Sequence, residues 1–154
     1  MKQRPRRCEN EAASWLSEFS KLFGFKAIER VPVIGRTGPD LTINELKLVV
    51  DVKSRQEVPD GIFYDGIVEF DDLLAVPLYQ AGEILEGVPQ QVDYQSKIVR
   101  GYYNHMDKWR IANFPDGISA LILHKPKMPF GKAMFIISKS DRSKLCQTLL
   151  YKIS

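Results

Sequence analysis

Gly38-Pro39-Asp40-Leu41-Thr42-Ile43, followed by Leu48-Val49-Val50-Asp51-Val52-Lys53-Ser54-Arg55, is the stretch on which the reading of this chain turns. Each of its two short apolar runs carries an acid. In a strand, residues i and i+2 face the same way, so Asp51 and Lys53 share one face while Val50 and Val52 take the other. A turn at Asn44-Glu45 would fold the first run back antiparallel onto the second. Such a hairpin brings the carboxylates of Asp40 and Asp51 to one spot.

Two clustered carboxylates repel, and a hard cation relieves that repulsion. Mg²⁺ takes oxygen ligands and is often bound by one or two carboxylates together with a substrate phosphate. An ammonium beside it, here Lys53, can sit against the scissile phosphate or help place a water. Two carboxylates, a lysine and a divalent cation are sufficient parts for phosphodiester hydrolysis. The plainer alternative is a surface hairpin on which Asp51 and Lys53 are solvated charges. Against it stand the Pro-Asp at hairpin spacing and the strongly apolar setting of Leu46, Leu48, Val49, Val50 and Val52.

Pro39-Asp40, the step of eleven residues to Asp51, and Asp51-Val52-Lys53 resemble the motif of the PD-(D/E)xK nuclease superfamily. The longer phrase from Gly35-Arg36-Thr37-Gly38 to Ser54-Arg55 looks most like the archaeal Holliday-junction resolvases and their phage relatives. Those proteins carry a Gly/Ser-rich turn, P-D-I/L, then E-V-K-S; this chain has Asp51 where they usually have Glu, which the superfamily allows. The close resemblance spans residues 9–55. It implies an α/β (α+β) domain of restriction-endonuclease-like fold, a mixed sheet flanked by helices, with Asp40, Asp51 and the Val52 carbonyl as ligands of Mg²⁺ (Mn²⁺ able to substitute) and Lys53 as the catalytic ammonium. It further implies a glutamate on the first helix reaching the metal site; Glu9 fits by its phase, and Glu11 is the second choice. The first-turn position of Glu9 also suits a simple interaction with the helix dipole.

The chain has 154 residues, 44% hydrophobic and 27% charged, as expected for one domain with a real core. No apolar run approaches the ~20 residues needed to span a membrane. Cys8 and Cys146 have neither zinc spacing nor a disulfide framework. A reducing, cytoplasmic setting is the expectation. The net charge of +3 conceals a polarity: nine of the 19 acids fall within 56–96, which has no Lys or Arg, leaving all 22 basic residues against ten acids, a balance of +12, elsewhere. A basic body suits a polyanion such as DNA. The acidic segment would repel it, so it is expected at the rim or at a subunit interface, away from the Asp40 and Asp51 face.

In order, residues 1–8 read as a flexible basic arm with Arg4, Arg6 and Arg7 suited to phosphate contacts, and 9–154 as a single domain with an irregular acidic insert around 56–90. The spacing of Ala12, Trp15, Leu16, Phe19 and Phe23 predicts a helix over 9–23. Residues 25–34, interrupted by Pro32, suggest an edge strand. Arg36 and Thr37 in the glycine turn, with Ser54 and Arg55 after the motif, are candidates for backbone contacts to DNA.

Beyond Arg55, 62–70 reads as a short strand or loop and 71–85 as a helix broken at Pro77 and Gly82. Residues 90–112 make the longest helix candidate, with Val92, Gln95, Val99, Tyr102, Tyr103, Met106 and Trp109 on one face; the aromatics are either core or a platform for unpaired bases. Strands are expected at 117–124 and 132–138, joined by a basic loop, and a last helix capped by Asp141. His105 and His124 lack ligand spacing and read as ordinary surface or half-buried residues.

Together these features predict a DNA endonuclease, structure-selective and acting as a homodimer if the resolvase likeness holds. The alternatives are a general or repair-type DNA nuclease acting as a monomer, and a non-catalytic DNA-binding module of the same fold.

Overall fold

The computed structural model describes residues 29–30, 40–43, 47–93 and 97–153, with backbone alone at 29–30, 43 and 148–153. Its strands are β1 (Glu29–Arg30), β2 (Leu41–Ile43), β3 (Leu48–Ser54), β4 (Val68–Phe70), β5 (Leu73–Pro77), β6 (Gln90–Gln91), β7 (Ile118–His124) and β8 (Met134–Ser138). The helices are α1 (Glu83–Glu86), α2 (Lys97–Asn113) and α3 (Asp141–Ile153). The strands form one mixed sheet in the order β1-β2-β3-β7-β8-β5-β4-β6.

The expected antiparallel pairing is present, while the turn expected at Asn44-Glu45 lies outside the described residues. β2 runs antiparallel to β3, pairing Leu41 with Val50 and Ile43 with Leu48. The return passes through Lys47, whose φ of 53° is left-handed. Lys47 then supplies its carbonyl to the amide of Ile118 at 2.9 Å, which aligns β3 with the start of β7. Gly117 is needed there, since a Cβ would fall 2.6 Å from the Lys47 carbonyl oxygen.

β3 and β7 are parallel along their whole length, from Leu48 opposite Ile118 to Ser54 opposite His124. A parallel pair requires a crossover, and α2 lies within this one. Both strands are covered on both faces, which explains their nearly continuous apolar runs. On one face, Val50, Val52 and Ile122 pack with Ile84 of α1 and Leu145 of α3. On the other, Leu121, Leu123 and Ile136 pack with Val99, Tyr103 and Met106 of α2. The core alternative for the face of α2 is therefore correct at Val99, Tyr103 and Met106.

Arg110 clasps the end of α2 to β7. Its Nε donates to Asp107 at 2.8 Å and to the fully buried Ser119 hydroxyl at 3.2 Å, and its Nη1 donates to the carbonyls of Pro115 and Gly117.

Three expectations need correction. Residues 71–85 are not a broken helix: Leu73–Pro77 form β5, wholly buried between β8 and β4. A five-residue apolar run has no period to separate strand from helix, and here apolar side chains are wanted on both faces. Of the helix predicted over 90–112, Lys97–Asn113 is described as helix, and Gln90–Gln91 instead pair with β4. The acidic insert is accordingly not irregular, since β4, β5 and β6 extend the common sheet. Of the expected edge strand 25–34, β1 is the described part, and it does lie at the sheet edge. Asp141 is the first residue of α3, and Leu145 on that helix is fully buried. The predicted helix 9–23 and the arm 1–8 lie outside the described residues. Among the described residues, no helix is long and apolar enough to cross a membrane.

Candidate functional site

β2 stops where β3 continues, and Asp40 stands at that step. Its amide donates to the Val50 carbonyl at 2.9 Å, and its Oδ2 accepts the Val52 amide N–H at 2.8 Å. A carboxylate thus takes the place of the next backbone acceptor in the ladder. Asp51, only 6% exposed, lies near enough to Asp40 for that carboxyl to act on its titration. Lys53, two residues on and on the same face, brings Nζ to 3.5 Å from Asp51 Oδ2.

Burial is the main cause that pushes the Asp51 carboxyl up to about 7; the neighbouring Asp40 carboxyl adds to the shift and Lys53 opposes it. One partly exposed ammonium does not balance two adjoining acids, and a divalent cation would. The donor set suits a hard ion: two carboxylates, plus the Val52 carbonyl, which leaves the strand on the same edge as the Val52 N–H bound by Asp40. Among the described residues no group of three or more His, Cys, Asp or Glu side chains gathers. Glu9 and its alternative Glu11 lie outside the described residues, as do Arg4, Arg6, Arg7, Arg36 and Thr37.

The Lys53 ammonium also lies 5.9 Å from the ring centroid of Tyr102 on α2, at the outer range of a cation–π contact. The Tyr102 hydroxyl donates to Glu57 Oε1 at 3.0 Å. The Glu57 carboxyl is held below its ordinary range, first by its own backbone N–H, then by Tyr102, with Arg55 contributing. Tyr102 is pushed up, by burial first and then by Glu57. Glu57, the first acid of the segment 56–96, is thus tied to the tyrosine whose ring the Lys53 ammonium approaches. The chain returns from β3 directly past α2, and only the packing of α2 reveals this proximity.

Ser54 and Arg55 differ in position. Strand alternation puts Ser54 on the face opposite Lys53, where its hydroxyl meets His124 Nδ1 at 2.7 Å. His124 Nε2 bonds the Met128 carbonyl at 2.8 Å and therefore carries the proton, so Nδ1 accepts from Ser54. His124 is 7% exposed and stacks near Phe130 at 4.8 Å, a correction to its reading as a surface or half-buried residue. His105 is exposed, as expected. Arg55 is exposed, with Nη1 donating to the Ser54 carbonyl at 3.0 Å. In the basic loop between β7 and β8, Lys125 is engaged by Asp60 at 2.6 Å and Phe130 is buried.

No protein-family model, curated protein or solved structure matches the chain.

Proposed function

We propose that this protein is a metal-dependent DNA endonuclease of restriction-endonuclease-like fold. The observation that carries the reading is the convergence of Asp40, Asp51 and Lys53 at the point where β3 outruns β2, with the Asp40 carboxyl helping to push that of the buried Asp51 up to about 7. The order of elements supports it: three antiparallel strands, a crossover containing α2, then β7 parallel to the strand that bears the motif.

Asp40, Asp51 and the Val52 carbonyl would hold Mg²⁺ or Mn²⁺, which when bound supplies positive charge against the charge developing on the phosphoryl oxygens. Asp40 is kept rigid for this task by the Val52 N–H. Lys53 directs its ammonium at the attacking water or at a non-bridging oxygen and stabilises the pentavalent state. The water oxygen forms a bond to phosphorus and gives up a proton to solvent, the opposite P–O bond breaks, and the departing sugar oxygen takes up a proton from solvent. Arg55, exposed just after the motif, would meet the DNA backbone.

The finer form of the proposal is a homodimer that resolves four-way junctions, since two strands must be cut symmetrically. It draws its support from the resemblance over residues 9–55. One observation favours a second form, a general or repair-type nuclease acting as a monomer: β4, β5 and β6, which extend the sheet, all belong to a segment outside that resemblance.

The test is cleavage of labelled four-way junction, duplex, flap and single-stranded DNA, with Mg²⁺ and with chelator. Wild-type protein cuts only with the metal, and Asp51→Asn and Lys53→Ala do not cut. Cleavage undiminished in Asp51→Asn overturns the assignment. Preference for the junction, together with a dimer in sedimentation, selects the resolvase; equal use of junction and duplex by a monomer selects the general nuclease.

A further inference from the structure

Lys53 has two neighbours of opposite kind. The Asp51 carboxylate brings Oδ2 to 3.5 Å from its Nζ, and the ammonium also stands over the ring of Tyr102, 5.9 Å from the centroid. The first contact cannot hold the lysine through the proposed reaction. A divalent cation on Asp51 would take up the charge that attracts the ammonium and would itself repel it. The stem of a lysine is long and flexible, so something other than Asp51 has to keep Nζ aimed. The face of an aromatic ring attracts a cation through its quadrupole, without competing for the metal.

The ring is fixed from both ends. Its body packs against the apolar cluster that includes Val58, Val99 and Leu123, and Leu123 is the residue opposite Lys53 in the β3–β7 register. Val99, Tyr103 and Met106 of α2 are buried, which sets the rotation of that helix about its axis. At the far end of the ring the hydroxyl donates to Glu57 Oε1 at 3.0 Å, and the fully buried Val58 pins the loop that carries Glu57.

We propose that Tyr102 is a positioning residue for Lys53: its ring holds the ammonium at the site once Asp51 is engaged by the metal, and its hydroxyl, tied to Glu57, steadies the ring. Tyr102 acts only through Lys53 and touches neither phosphate nor metal. This rests on the nuclease reading, and the experiment separates the two.

The mobility of the Lys53 side chain is followed by carbon NMR relaxation of its Cε methylene in metal-free protein, with Lys108, exposed on α2, as the reference. Asp51→Asn removes the ion pair, and Lys53 stays more ordered than Lys108. Adding Tyr102→Leu to that variant releases Lys53 to the level of Lys108, whereas adding Tyr102→Phe, which keeps the ring face, leaves it ordered. Kinetics are read separately, in Mg²⁺ on labelled four-way junction and duplex DNA, with Asp51 intact. Tyr102→Leu lowers kcat by about two- to fivefold, the worth of a partly exposed cation–π contact, with KM unchanged. Tyr102→Phe falls between it and wild type. A Lys53 as mobile as Lys108 in Asp51→Asn alone overturns the positioning role and leaves the nuclease reading standing, and that variant decides even if Tyr102→Leu fails to fold. A Lys53 still ordered in Asp51→Asn with Tyr102→Leu, or a Tyr102→Leu loss carried by KM, overturns the role as well. The expected NMR pattern without any cleavage by wild-type protein overturns the nuclease reading and upholds the ring as the seat of the ammonium.

Discussion

Asp40 completes a strand it does not belong to: its Oδ2 accepts the amide of Val52 at 2.8 Å, just past the last backbone pair of the β2–β3 hairpin. One carboxylate oxygen is thereby committed to structure. The charge it carries remains beside Asp51, where it helps raise that residue's pKa.

The two duties of Asp40 can be separated. Asp40→Asn keeps a carbonyl oxygen for the Val52 N–H and should unfold in urea close to wild type. Asp40→Ala leaves that part-buried N–H without its acceptor and should cost about 1–3 kcal/mol. Both should lose metal-dependent cleavage. In Asp40→Asn the titration of Asp51, followed by carbon NMR at the carboxyl, should move below about 7 and stay above the ordinary 3.8, because burial rather than Asp40 is the larger cause.

Ser54 makes a different prediction from its neighbours. Its hydroxyl faces His124 on the far side of the sheet from Lys53, so Ser54→Ala should act on stability. The His124 Nδ1 would lose its donor inside a nearly closed site, at a cost of about 1–3 kcal/mol. The salt slope of DNA binding should not change. A flattened slope at full stability would instead make Ser54 a phosphate contact.

The contrast between Asp51 and Ser54 shows how far the sequence could be read. The period of two placed Asp51 with Lys53, and the Pro-Asp step brought Asp40 to them, because both relations are local to one hairpin. Val99, Tyr103 and Met106 announced their burial through helical spacing. What was not legible depends on contacts between distant segments. Leu73–Pro77 lacks any period, and only pairing with β8 and β4 makes it a strand. His124 looked isolated because its partner Ser54 is reached across a parallel register. Tyr102 gave no sign of meeting Lys53 and Glu57, since that depends on how α2 lies over the sheet.

Gly101 sits on the exposed side of α2, and a Cβ there would meet nothing within 4 Å. Glycine inside a helix is about 1 kcal/mol less favourable than alanine. Gly101→Ala should therefore stabilise the protein by up to about that amount, measured as a higher urea midpoint with unchanged slope. A loss of stability would mean that the helix relies on a bend at this position.

The pH dependence of stability tests the carboxylate pair without any substrate. Asp51 has a folded pKa of about 7 against an ordinary value of 3.8. Between those values the folded protein holds a proton that the unfolded chain has released, so protonation stabilises the fold. This contribution is complete below the unfolded value and is lost as pH rises through the folded one. The slope cannot exceed about 1.4 kcal/mol per pH unit for one proton. Asp51→Asn should flatten the profile between pH 4 and 7 and melt above wild type at pH 8. A divalent cation should produce the converse. At pH 8, above the folded pKa of Asp51, Mg²⁺ or Mn²⁺ should raise the melting temperature of the wild-type protein and leave that of Asp51→Asn unmoved. If the two proteins respond to the cation alike, the pair is an acidic contact in the fold and no metal ligand set.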